Sequence, residues 1–254
     1  MFSSALIVSL LPALTAAFSL PSYNGLSTVW HDDFWGNAGD SPNVTHWNVI
    51  TGDLGLNNEL ETYTESNENL QISGGGTLQL IPRRNSSTSS GWTSARIESV
   101  DSYTPVPGKN TRSMREGTSW PLCGELDILE QVNGKLTGYG TAHCENHCEE
   151  PTGRQGYTSI PSGSNFHTWR LDWDRTSNNW QTESITWSLD GVDFFSINGT
   201  TIGDQATWST LAHSPFYILL NVAVGGTMAG NPDSNTLDGY DSMMEVAYVA
   251  VYSS

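Results

Sequence analysis

The chain has 254 residues, 27 Asp and Glu against 10 Lys and Arg, a formal net charge of −17, and only 15% charged residues. So acidic a balance excludes a nucleic-acid binder, which needs a basic surface to neutralise phosphates, and it excludes a polybasic membrane anchor. Ten Trp, nine Tyr and seven Phe among 37% apolar residues suit a packed domain rather than a disordered chain, and are more than a core needs, so some are expected to face a ligand with flat apolar surfaces, such as a sugar.

The one long apolar run spans Ala5 to Leu14 and is followed by the small residues Thr15, Ala16 and Ala17. Ten residues at about 1.5 Å each fall short of a hydrocarbon core of roughly 30 Å, so no membrane-spanning helix is expected there. A cleaved secretory signal over residues 1–17 fits, although no Lys or Arg precedes the run. The protein is therefore expected to be secreted, extracellular or in a cell wall, with residues 18–254 forming one domain. The triplets beginning at Asn43, Asn85 and Asn198 are expected glycosylation sites, and no apolar tail follows Tyr252, so no GPI anchor is expected.

No segment of a dozen residues beyond the signal has helical apolar spacing, whereas short alternating segments recur, which predicts an all-β, two-sheet antiparallel sandwich. Leu70 to Ser73 and Thr77 to Pro82 flank three glycines as two strands. From Phe166 to Asp174, His167, Trp169, Leu171 and Trp173 share one parity and Thr168, Arg170, Asp172 and Asp174 the other, as in a strand with one buried face. Ile185, Trp187 and Leu189 alternate with Thr186 and Ser188, and Asp190-Gly191 then supplies the positive φ angles of a tight hairpin before Val192 to Ile197. Phe216 to Val224 is mostly apolar, and Met244 to Tyr252 is apolar on both parities, as strands in the middle of a sandwich are. Neither a repeat nor a linker is visible.

The chemistry concentrates in Trp120-Pro121-Leu122-Cys123-Gly124-Glu125-Leu126-Asp127-Ile128-Leu129-Glu130. In an extended strand Glu125 and Asp127 share a face, while Glu130, five positions from Glu125, points the other way. A single-residue bulge at Ile128-Leu129 rotates it back, so that all three carboxylates line one face, close enough to act as the pair of a retaining glycosidase with Asp127 orienting the nucleophile. An acidic surface strand is the bland alternative, but Leu126, Ile128 and Leu129 predict a buried opposite face, and carboxylates so confined repel one another.

The segment resembles the active-site motif of glycoside hydrolase family 16, in its laminarinase-like branch, which carries Glu-Xaa-Asp-Xaa-Xaa-Glu with the bulge. Further segments resemble family blocks in the expected order: Val29 to Phe34 the opening strand, Asn57-Asn58-Glu59-Leu60-Glu61-Thr62-Tyr63 a segment near the cleft, then Trp92 to Ile97, Pro215 to Gly226 and Val246 to Tyr252. The resemblance implies a β-jelly-roll sandwich with a concave cleft. It also implies a fungal-type secreted enzyme that hydrolyses β-1,3- or mixed β-1,3/1,4-glucan endo-wise with retention. By position, Glu125 resembles the nucleophile, Asp127 its partner and Glu130 the general acid/base. Trp120, His143 and Asn58 are the expected substrate-binding residues, with core filling for Trp120 and a structural hydrogen bond for His143 as the alternatives.

Cys144, His147 and Cys148 superficially resemble metal ligands, but in a secreted chain Cys144 and Cys148 are expected to form a disulfide, leaving Cys123, which abuts the carboxylate strand, as a buried free thiol. Some family members bind calcium where this chain has Ala247, so no metal or other cofactor is expected, and the expected partner is a β-glucan met by a monomer. Residues 101 to 119 depart from the family pattern: they carry two prolines and the basic residues Lys109, Arg112 and Arg115, with no strand pattern. Two cleft strands are expected to be missing there, and a weakly active or inactive β-glucan-binding sandwich is the alternative function. At Thr227-Met228-Ala229-Gly230 relatives often carry a Trp for sugar contact, so weaker substrate binding is expected.

Overall fold

The computed structural model describes residues 18–103, 119–163 and 165–254. The proposed signal over residues 1–17 and most of the atypical stretch, residues 104–118, lie outside the described residues. Strands dominate, as the alternation predicts, and among the described residues all the ladders are antiparallel except the short pairing of Thr62–Tyr63 with Trp92–Ser94. No helix among the described residues is long and apolar enough to cross a membrane.

The Asp190-Gly191 turn forms as expected, with φ of 50° and 80°, between strands Ser184–Leu189 and Val192–Asn198. Strand Trp169–Asp174 adds to its other side. Strands Leu70–Ile72 and Leu78–Leu80 pair across the three glycines, and Met244–Val246 extends that sheet. The expected continuous strand from Met244 to Tyr252 breaks at Ala247-Tyr248, because Val249–Ser253 leaves that sheet to pair with Ser27–Asp32. Tyr252 further fixes this edge: its hydroxyl donates to the Pro21 carbonyl at 2.8 Å, and its ring meets Tyr23 edge-on. Strand Phe216–Asn221 ends before Val224, whose N–H donates to the Glu61 carboxylate at 2.7 Å instead of to a ladder. The stretch from Asp101, expected as loop, is strand as far as Tyr103, which pairs with Phe216.

Two apolar cores result among the described residues. One gathers Phe34, Trp47, Leu70, Leu78, Leu80 and Ile97. The other lies between the sheet formed by Glu125–Glu130, Thr137–His143 and Arg154–Ser159 and the sheet formed by Trp169–Asp174, Ser184–Leu189 and Val192–Asn198. Gly138, Gly140 and Gly156 make that contact possible, because a Cβ on each would run into Trp169, Trp187 and Phe195 respectively. Helix Gln205–His213 closes the end of this core with Trp208, Leu211 and Ala212; the Asp204 carboxylate caps it by accepting the Thr207 N–H at 2.8 Å. At nine residues the helix is too short to stand out as a periodic pattern.

Candidate active site

Strand Glu125–Glu130 pairs with Thr137–His143 in a register that places His143 opposite Glu125, Thr141 opposite Asp127 and Tyr139 opposite Glu130. Two steps on one strand therefore span three on the other, which is the single-residue bulge at Ile128-Leu129 expected from the spacing. Its effect is to restore Glu130 to the face of Glu125 and Asp127: Glu130 accepts a hydrogen bond from the Thr141 hydroxyl at 2.9 Å. The expectation that Ile128 is buried fails. It is 37% exposed, because the extra residue of the bulge is turned outward, while Leu126 packs against the core.

The third strand, Arg154–Ser159, continues these rows, with Gln155 beside Thr141 and Tyr157 beside Tyr139. Gln155 donates to the Thr141 hydroxyl at 3.2 Å, and the rings of Tyr139 and Tyr157 lie 6.1 Å apart, with Tyr157 71% exposed. The carboxylate face thus runs without interruption into an open aromatic surface.

The Asp127 side chain is only 20% exposed. Burial and the charges of Glu125 and Glu130 push its carboxyl up to about 8, so at neutral pH it holds a proton. Its Oδ2 has no hydrogen-bond donor among the described residues and lies 3.5 Å from His143 Nε2. The other ring nitrogen of His143, Nδ1, meets Glu150 Oε2 at 2.7 Å. Trp120 is 51% exposed rather than in the core; its indole N–H donates to Glu125 Oε2 at 2.5 Å, and its ring lies 5.4 Å from that of His143. Cys144 and Cys148 are bonded and buried. Cys123 is free as expected but only half-buried rather than buried, because it precedes the strand in the turn after Pro121; its partial burial together with the Glu125 charge pushes its thiol up. Among the described residues no group of three or more His, Cys, Asp or Glu could hold a metal ion.

Asn58 stands at the rim. Its amide donates to the Thr227 hydroxyl at 3.2 Å, while the Asn57 carbonyl accepts the Thr227 N–H at 2.8 Å. The short helix Gly226–Ala229 so fastened receives the Asn133 side-chain amide on the Ala229 carbonyl at 3.0 Å, which joins this rim to the turn after the carboxylate strand. Met228 is exposed there. The three sequon asparagines all use their side-chain oxygens locally: Asn43 accepts from Thr45, Asn85 from Ser87, and Asn198 caps a helical turn through Thr201.

Sequence reasoning missed several neighbours of the site. Arg96 and Glu98 pair at 3.1 Å on the parity opposite buried Ile97, and the alternation Arg-Ile-Glu-Ser could have revealed them. Tyr217 lies near enough to Glu98 and Glu125 that their charges join burial in raising its phenol. Glu150 gives no sequence signal at all.

No family model matches the chain. It is 32% identical to an endo-1,3-β-glucanase from Streptomyces sioyaensis whose crystal structure it matches with a TM-score of 0.80, over 92% of this chain and 99% of that one. It is 28% identical to a β-glucanase from Rhodothermus marinus, over 88% of this chain and 84% of the relative. It is 27% identical to glucan endo-1,3-β-glucosidase A1 of Niallia circulans over 91% of this chain, but spans only 38% of that longer protein. These relatives lend no support to a fungal type. With the bulged carboxylate strand, the sandwich around it and a solved relative matched over nearly its full length, the chain belongs to the endo-1,3-β-glucanase (laminarinase) family of glycoside hydrolases.

Proposed function

We propose that the protein is a secreted, retaining endo-β-glucanase acting on β-1,3- or mixed β-1,3/1,4-glucan through Glu125, Asp127 and Glu130. The observation that carries this reading is the bulge, which turns Glu130 onto the face of the other two carboxylates. Glu130 gives a proton to the glycosidic oxygen as Glu125 attacks the anomeric carbon; the leaving sugar departs and a glycosyl ester forms. Glu130 then takes a proton from water, the water oxygen adds to the same carbon, and Glu125 is released with the original configuration restored. Asp127, protonated and wedged between the two, limits the negative charge of the cluster and orients Glu125. No step in this sequence requires a cofactor or metal.

Trp120 and Tyr157 offer exposed ring faces to the sugar, and Asn58 holds the rim through Thr227. The mature enzyme is read as a monomer of residues 18–254, glycosylated at Asn43, Asn85 and Asn198. Release of reducing ends from laminarin, lichenan and a β-1,4-glucan tests the substrate, and the anomeric configuration of the first product, followed by NMR, tests retention. Retention of laminarin on the protein without release of reducing ends would instead make it the glucan-binding sandwich.

A further inference from the structure

One partly buried carboxylate beside the site has no part in the reaction above. Glu150 follows the disulfide-closed turn between Cys144 and Cys148, and both of its oxygens are occupied: Oε1 accepts the Cys144 N–H at 2.9 Å and Oε2 meets His143 Nδ1 at 2.7 Å. The side chains of His143 and Glu150 are only 12% and 17% exposed. Beyond the ring, Nε2 faces Asp127 Oδ2 at 3.5 Å, and that oxygen has no hydrogen-bond donor among the described residues. Glu150, His143 and Asp127 thus form a line that ends beside Glu125, the register partner of His143.

The chemistry of the line is constrained. An ionised carboxylate only accepts, so Nδ1 carries hydrogen toward Glu150. At 3.5 Å Nε2 and Oδ2 stand just beyond a formed hydrogen bond, and a small approach of the two lets them share one proton, held either as the Asp127 O–H donating to the ring or as the ring N–H donating to Asp127. The high proton affinity of Asp127 fits such a shared proton. We propose that Glu150 is a positioning residue of the catalytic centre: by fixing hydrogen on His143 Nδ1, it keeps Nε2 available to share one proton with Asp127, and so holds in place the carboxyl that flanks the nucleophile.

This inference rests on the assignment of Glu125, Asp127 and Glu130 above. Its first test does not require activity. In the full-length protein, the ¹⁵N shifts of His143 are expected to show hydrogen on Nδ1, and in Glu150→Gln, whose amide can donate to Nδ1, hydrogen on Nε2. A wild-type ring with hydrogen on Nε2 alone overturns the proposal. The second test is kinetic. Glu150→Gln is expected to lower kcat on laminarin by about 10- to 100-fold, the usual result of loosening a reacting group, with KM within about twofold. Glu150→Asp, which restores the charge on a shorter arm, is expected to recover part of kcat. Unchanged kcat in Glu150→Gln overturns the proposal, as does an equal loss in both variants with the His143 signals unmoved. A wild-type protein that cleaves no β-glucan refutes the proposed function instead, and the ¹⁵N measurement still decides the role of Glu150.

Discussion

The indole N–H of Trp187 crosses from one sheet to the other and donates to the main-chain carbonyl of Asp127 at 2.8 Å. That carbonyl lies next to the bulge, where the register with Thr137–His143 shifts. Trp187 reaches it only because Gly140 has no side chain to block the ring. The catalytic bulge is thus supported from the core side by a residue that never meets substrate.

Gly140→Ala is expected to destabilise the fold by about 1 to 3 kcal/mol, since its Cβ overlaps the Trp187 ring and overpacking forces the ring off its partner. Denaturant unfolding measures the loss, and a variant as stable as wild type would show that the ring has room to move.

Glu125→Gln and Glu130→Gln are each expected to abolish turnover of laminarin while preserving the far-ultraviolet spectrum and cooperative melting, because each removes one of two indispensable roles. Normal hydrolysis by either variant would refute its assignment.

Asp127 sets the pH behaviour. Its carboxyl is pushed from an ordinary value of 3.8 up to about 8, so the folded state binds this proton more tightly than the unfolded state. The stability it contributes is full at low pH and is lost as the pH rises from about 4 to about 8. Asp127→Asn, which keeps the shape without the charge, is expected to melt increasingly above wild type across that window, by about 2 to 4 °C per kcal/mol recovered. Activity of the wild type is expected to fall as the pH passes about 8, where Asp127 ionises between Glu125 and Glu130. Parallel melting curves for the two proteins from pH 4 to 8 would count against the shift.

The disulfide encloses so few residues that its effect on the unfolded chain is limited. Replacing both Cys144 and Cys148 with Ala is expected to cost about 2 kcal/mol, against about 4.7 for a bridge closing 100 residues. The Cys144 N–H also anchors Glu150, so kcat is expected to fall as well. A double variant with wild-type kcat would show that the turn holds its shape without the bond.

Tyr157 lies at the open end of the row that begins at Glu130. Tyr157→Ala is expected to raise KM for long laminarin chains by about 5- to 10-fold, as the loss of one ring contact of roughly 1 to 1.5 kcal/mol implies, and to leave the shortest cleavable oligosaccharide unaffected. Equal effects on both substrates would place the ring outside the path of the chain.

Much of this site is legible in the sequence because strand geometry is local. The five-residue interval from Glu125 to Glu130 fits a shared face only with a bulge, and Asp190-Gly191 admits few turns. The Tyr139, Thr141 and His143 parity likewise identifies the neighbouring row. Contacts that depend on distant segments leave no such mark. Nothing around Trp187 announces that its N–H meets Asp127, and Glu150 becomes visible only when its loop folds back onto His143. Met244 to Tyr252 misleads for a related reason: both halves are partly buried on both parities, so no alternation marks the point where one sheet hands the chain to another.

The pairing of Ser27–Asp32 with Val249–Ser253 imposes an order of events during synthesis. The earlier strand leaves the ribosome while its ladder partner is still untranslated; at about 5 to 20 residues per second it waits roughly 10 to 40 s for residue 249. Throughout that interval its hydrogen-bonding edge is open to any other strand it meets, a nascent neighbour included. Completion of this sheet therefore waits on the synthesis of residues 249–253, and the protein's yield should respond more to chaperone capacity and crowding of nascent chains than to the stability of the finished sandwich.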